Sequence, residues 1–138
     1  MTMSTEGKVW GLTQKFLDNP FCSFHVLKIR KGGVCSKHLH NHRWNGFYII
    51  SGSLKINRWD TQAAGGDSTV LTQGEWTQIP PGEHHQFEAL TDTHAIEIYW
   101  PSACVQEDIK RETQGYLKPP TEEEIKQQQE SLWSRTYC

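Results

Sequence analysis

Gly33-Val34-Cys35-Ser36-Lys37-His38-Leu39-His40-Asn41-His42-Arg43-Trp44-Asn45-Gly46-Phe47 and Gly74-Glu75-Trp76-Thr77-Gln78-Ile79-Pro80-Pro81-Gly82-Glu83-His84-His85 are the two stretches whose reading decides the fold. Five of the chain's seven histidines fall in them. Along a strand, alternate side chains share a face, so His38 and His40 point the same way. A third histidine facing the same interior from another strand, His85, completes a set of imidazoles on one ion with open positions. Three protein ligands plus solvent is the pattern of a reactive site rather than a closed structural one.

Working outward, short apolar-rich segments recur between Gly, Pro, Asn and Asp signals, the mark of many short strands rather than βαβ units. Strands are expected over 24–30, 34–40, 44–50, 53–59, 68–71, 75–79, 85–90 and 95–100. Turns are expected at Lys31-Gly32-Gly33, Ser51-Gly52, Ala64-Gly65-Gly66-Asp67, Gln73-Gly74 and Pro80-Pro81-Gly82. Eight evenly spaced strands suggest an all-β jelly roll or small barrel of two antiparallel sheets. After residue 104 the character changes. Thr121-Glu122-Glu123-Glu124 reads as a capping box, and Ile125, Leu132 and Trp133 lie about two turns apart. A short C-terminal helix over 122–133 is expected, packed on or beside the barrel. The expected division is a barrel over 1–104 and an extension over 105–138.

Composition narrows the function. The 138 residues suit one domain. A net charge of −2 with scattered Lys and Arg gives no nucleic-acid footprint. Residues 1–8 are polar, with no apolar core of a signal peptide, and no run approaches the ~20 apolar residues of a membrane span. A cytoplasmic protein with no membrane or nucleic-acid partner is the expectation. Cys22, Cys35, Cys104 and Cys138 lack CxxC spacing and read as free thiols.

Gly33, His38, His40, position 45 and Gly52 resemble the first cupin motif, and Gly74, Pro80, Gly82 and His85 resemble the second, G-x5-P-x-G-x2-H. Over roughly residues 8–111 the chain is similar to the cupin superfamily, and in detail to the type II mannose-6-phosphate isomerase domains. Lys8-Val9-Trp10-Gly11 resembles their R-P-W-G. The segment from His38 to Phe47 resembles Q-M-H-H-H-R-A-E-H-W, and Ile49-Ile50-Ser51-Gly52 resembles V-V-S-G. Ile79 to His85 resembles I-P-A-G-x-x-H, and Glu107-Asp108-Ile109-Lys110-Arg111 resembles D-D-I-V-R. The resemblance implies a cupin jelly roll and a metal-assisted isomerisation of a phosphorylated sugar. It places His40 and His85 on metal ligands, His38 on a Gln ligand and Asn45 on a Glu ligand. Arg43 and Arg111 fall on conserved-type arginines of those motifs.

The resulting expectations are concrete. His38, His40 and His85 hold a divalent ion, with Zn, Mn, Fe, Co and Ni all compatible with imidazole. Glu97 and His42 are the candidate bases. Arg43, Asn45, Tyr48 and Tyr99 are the candidate substrate contacts, with Lys28 and Arg111 as further phosphate holders. Asn45, with a neutral amide, is expected to bond water or substrate rather than the ion. The partner is a small-molecule ligand, and the Trp-rich surface permits a homodimer. Three functions stay open: a sugar-phosphate isomerase-like enzyme, a three-His iron dioxygenase, and a non-catalytic sugar- or metabolite-binding cupin.

Overall fold

The computed structural model describes residues 4–60, 66–102 and 117–136. Among these, nine strands run in chain order: β1 (Ser4–Lys8), β2 (Gly11–Asp18), β3 (Ser23–Ile29), β4 (Arg43–Ser51), β5 (Ser53–Trp59), β6 (Asp67–Thr72), β7 (Trp76–Ile79), β8 (His84–Ala89) and β9 (Thr93–Pro101). One sheet has the order β1-β2-β3-β9-β4-β7 and the other β6-β5-β8, with all pairings antiparallel. This is the expected all-β jelly roll of two antiparallel sheets. Residues 1–104 and 105–138 form two separate compact units.

Alternation explains the core. In β4, Asn45, Phe47 and Ile49 face inward, and in β9, Thr93, Ala95 and Glu97 do so. Leu27, Ile29, Leu54, Ile56, Ile79 and Phe87 close the apolar interior from the remaining strands. A fully buried Leu, Ile or Phe contributes about 1.5–3 kcal/mol, so this apolar layer is the barrel's main source of cohesion.

Two expectations about strands change. Residues 4–18, given no strand above, form β1 and β2; every β1 side chain is exposed, so no apolar periodicity marks it. Conversely, 34–40 is not a continuous strand. It meets β8 only at Val34↔Glu88 and His38↔His85. Between these points the Gln86 side-chain amide donates to the Cys35 carbonyl at 2.9 Å, taking an acceptor the ladder would use. The segment still runs alongside β8, because His38 and His85 exchange both backbone hydrogen bonds, at 3.1 and 2.9 Å.

The helix α1 (Glu122–Thr136) starts where the capping box predicts. Glu124 N–H donates to Thr121 Oγ1 at 3.2 Å, and Thr121 N–H donates to Glu124 Oε2 at 3.4 Å. The Arg111 expectation, the Glu107–Arg111 match, Ala64-Gly65 and the side chains of Leu132 and Trp133 lie outside the described residues. Cys22 and Cys35 are free thiols, and Cys104 and Cys138 lie outside the described residues.

On the outer side of β4, Gly46 lets two indoles from the flanking strands lean across it. A Cβ there would sit 2.0 Å from Trp76 Cη2 and 3.0 Å from Trp100 Cζ3. Trp100 stacks on Trp44 at 6.1 Å and on Trp76 at 6.2 Å. Gly46→Ala is therefore expected to cost about 1–3 kcal/mol through overpacking, read as a lowered denaturation midpoint with altered tryptophan fluorescence. An unchanged midpoint would show that the indoles move aside freely.

Candidate metal centre

His38 and His40 reach the interior from the segment before β4, and His85 from the second position of β8. Each offers one ring nitrogen, and the three donor atoms lie within 4.8 Å of one another. The rings converge closely: His38 and His85 centroids are 4.5 Å apart, His38 and His40 5.0 Å, and His40 and His85 5.4 Å. His38 and His40 are half-buried and His85 is buried.

The remaining ring contacts show which nitrogens are available. His38 Nδ1–H donates to the Ser36 carbonyl at 2.7 Å, and His85 Nδ1–H to the Glu83 carbonyl at 3.0 Å. A carbonyl that takes the Nδ1 proton leaves a lone pair on Nε2, as metal-bound imidazoles commonly have it. His40 Nε2 is buried with no hydrogen-bond partner, and an orphaned buried polar atom is unfavourable unless something binds it. Burial first, then the neighbouring imidazoles, push His40 down to about 4. Burial chiefly holds His85 at about 4, its bond to Glu83 opposing that shift. Both rings are neutral at pH 7, the form that ligates. The residues present thus fit a divalent ion.

Asn45 is fully buried. Its Nδ2 donates to Glu97 Oε2 at 3.3 Å and to the Ile98 carbonyl at 3.4 Å, while Oδ1 lies 3.0 Å from His85 Nε2. With the His85 Nδ1 proton given to Glu83, Nε2 and Oδ1 face each other as two acceptors. Two acceptors at that distance are arranged as neighbouring ligands of one cation would be.

Glu97, opposite Phe47 on β9, is buried beside Asn45. Burial pushes its carboxyl up to about 7, against the smaller opposing effect of hydrogen bonds from Tyr99 and Asn45. Tyr99 is itself raised, by burial and then by the Glu97 charge. Its ring lies 5.0 Å from His40, and the Arg43 guanidinium sits over it at 4.6 Å. A chamber of about 420 Å³ runs beside these groups, lined by Trp10, Thr13, His25, His38, Glu97 and Tyr99 among others.

The other expected residues separate. Tyr48 does not reach the site: it alternates with buried Phe47 and Ile49 and lies 40 % exposed on the outer face. Lys28 points outward in the same way, opposite His94. His42 is exposed and lies beside Arg43 and Tyr99 in a shallow pocket, outside the three-imidazole group. Sequence reasoning assigned His25 a structural role and no place beside the site. Its ring lies within hydrogen-bond reach of Thr13 and Ser23, at 3.3 Å each, and packs edge-on to Tyr99. The alternation of Ser23, His25, Leu27 and Ile29 carried that signal. Thr13 was missed because β2 has weak periodicity, and Trp10 because it sits in the turn before that strand.

Comparisons with known proteins agree with this architecture. Residues 25–101 match the family model described as a cupin domain. A mannose-1-phosphate guanylyltransferase of Klebsiella pneumoniae is 25 % identical over 104 residues, 74 % of this chain and 21 % of that protein. The chain thus spans about a fifth of the curated relative it matches. KdgF from Halomonas sp. superposes with TM-score 0.62 at 17 % identity, over 75 % of this chain and 88 % of that one. An oxalate decarboxylase of Bacillus subtilis gives 0.65 at 13 % identity, over 72 % and 27 %. An RmlC-like cupin from Shewanella frigidimarina gives 0.61 at 23 % identity, over 72 % and 85 %. With a family match over more than half its length, two antiparallel sheets and a convergent three-histidine site, the chain belongs to the cupin domain family.

Proposed function

We propose that this cupin is a metal-dependent enzyme that moves a proton on a small sugar-phosphate-like substrate. The observation that carries the reading is the pairing of two features in one interior. One is three convergent, neutral imidazoles; the other is a buried carboxyl whose proton affinity is tuned to about 7. A general base works best with its pKa near the operating pH.

His38, His40 and His85 would hold the ion, with Asn45 Oδ1 as a neutral oxygen donor at its edge. When bound, a divalent cation supplies Lewis-acid polarisation of a substrate oxygen. Glu97 would take and return the proton. Tyr99 and Asn45, which donate hydrogen bonds to its carboxylate, would keep it aimed and stabilise its charged form. Arg43, spread on the Tyr99 ring, would hold an anionic group at the mouth, where a planar guanidinium suits phosphate. The chamber's volume suits a small ligand. The curated relative's name, a mannose-1-phosphate guanylyltransferase, adds support for a phosphorylated sugar.

The test is solvent deuterium exchange with a panel of phosphorylated aldoses and ketoses, using metal-loaded protein. The expected result is metal-dependent incorporation at the carbon beside the carbonyl. Iron content with oxygen uptake and no exchange would replace this reading with the dioxygenase one. Ligand binding without exchange or oxygen uptake would leave a binding module.

A further inference from the structure

We infer that the ion pair between Arg58 and Glu83 positions the metal ligands, acting through the turn at 80–83. The inference rests on the reading of His38, His40 and His85 as a metal centre. Leu54, Ile56 and Arg58 share one face of β5, and the first two are buried in the core. A guanidinium thus stands where the apolar row would continue, directly opposite His85 in the β5–β8 register. Its Nε and Nη2 both donate to Glu83 Oε2, at 2.8 and 2.7 Å. The two side chains are only 28 % and 12 % exposed. Glu83 is thereby tied to the three-stranded sheet by charge-assisted hydrogen bonds, which are about twice as strong as neutral ones.

That turn touches two of the three ligands. Gly82 N–H donates to the His40 carbonyl at 2.8 Å, and the Glu83 carbonyl accepts His85 Nδ1–H at 3.0 Å. The second bond decides which nitrogen of His85 keeps its lone pair. The start of the turn is shaped by its own residues. Pro80 and Pro81 have φ fixed by their rings, and Gly82 takes φ 84°, a left-handed conformation that favours glycine. Glu83 carries no such constraint, yet it presents its carbonyl to His85, and it is the residue that Arg58 grips. Sign separates this clamp from simple electrostatics. By charge alone the cation Arg58 would weaken divalent-ion binding and the anion Glu83 would strengthen it, so removing them would act in opposite directions. Loss of a clamp acts in the same direction for both.

Competition titration with zinc on the full-length protein tests the inference, using Arg58→Met, Glu83→Ala and the double variant. Each single variant is expected to raise the zinc dissociation constant about tenfold, the low end of the cost of losing a hydrogen-bond partner of a metal-bound imidazole. The double variant should bind no more weakly than either single one, because the same pair is broken in all three. Arg58→Lys, which keeps the charge and a donor, should lie between Arg58→Met and wild type, and it carries the test if the Met variant does not fold. Long-range proton–nitrogen NMR of metal-free protein gives a readout independent of the ion. His85 is expected as the Nδ1–H tautomer in wild type and as a mixture in the variants, with the far-UV circular dichroism unchanged. Tighter zinc binding by Arg58→Met would reduce Arg58 to a charge, and unchanged affinity and tautomer in the single variants would show that the turn holds itself; either result would overturn the inference. A wild type that binds no zinc would overturn the metal centre instead, and the tautomer populations would then decide the clamp alone.

Discussion

His85→Ala is expected to lower affinity for a divalent ion by more than about a hundredfold. Losing an outer-shell partner of a metal-bound imidazole already costs about 10–100-fold, and His85 is the donor itself. Its Nε2 is the inward lone pair left when Nδ1–H bonds to Glu83, and it faces Asn45 Oδ1. Truncation removes a ligand and also the group against which the buried amide is oriented. The fold should survive. His85 stands at the end of the apolar layer rather than inside it, and His38 and residue 85 keep their two backbone hydrogen bonds. Competition titration with zinc or cobalt, alongside far-UV circular dichroism, checks both halves. A variant that folds and binds metal like wild type would remove His85 from the site. Tyr48→Phe, on the outer face, is the control that should bind metal normally.

Glu97→Gln should make the metal-free protein more stable at alkaline pH while abolishing proton transfer. The carboxyl is raised from its ordinary 4.5 to about 7 by burial. Below pH 4.5 it is protonated in both folded and unfolded chains and costs nothing. As pH rises from 4.5 through 7 the unfolded chain ionises first, so folding stability falls, and above 7 the folded state carries a buried charge. A shift of that size corresponds to about 3–4 kcal/mol in full, of which about 2–3 kcal/mol develops between pH 5 and pH 8. Gln keeps an oxygen for the Asn45 and Tyr99 hydrogen bonds without the charge. The stability gap between variant and wild type should therefore widen by roughly that amount between pH 5 and pH 8. Taking the difference cancels His40 and His85. Their lowered values act in the other direction, withdrawing stability as pH falls from 6.5 towards 4. Denaturant titrations at the two pH values measure the gap. A constant gap would mean that Glu97 ionises as an exposed carboxyl does.

These two residues show how differently the sequence exposed the parts of the molecule. His38, His40 and His85 were readable because spacing and turn residues carry the site: Pro80, Pro81 and Gly82 reverse the chain immediately before His85. Glu97 was readable as a candidate, though its environment was not. Only the β3–β9–β4 register puts a buried carboxyl beside Asn45 and Tyr99. The burial of Asn45 was not legible from the motif alone; alternation with Phe47 and Ile49 on β4 turns it inward. Tyr48 fails for the same reason in reverse, since one step along β4 moves a side chain to the opposite face. β1 and β2 escaped notice because strands whose side chains are all exposed or half-exposed have little apolar rhythm to detect.

Chelation should strip the ion and leave most of the β signal, since Leu27, Phe47, Ile49 and Leu54 pack without it. Loss of the fold would make the ion structural. The most direct measurement is X-ray absorption at the metal edge on protein with its ion content determined by elemental analysis. One ion per chain is predicted, with three imidazole nitrogens at about 2.0–2.2 Å. An ion bound through oxygens alone, or no stoichiometric ion after equilibration with zinc, manganese, iron, cobalt and nickel, would contradict the convergence of the three histidines on a shared cation.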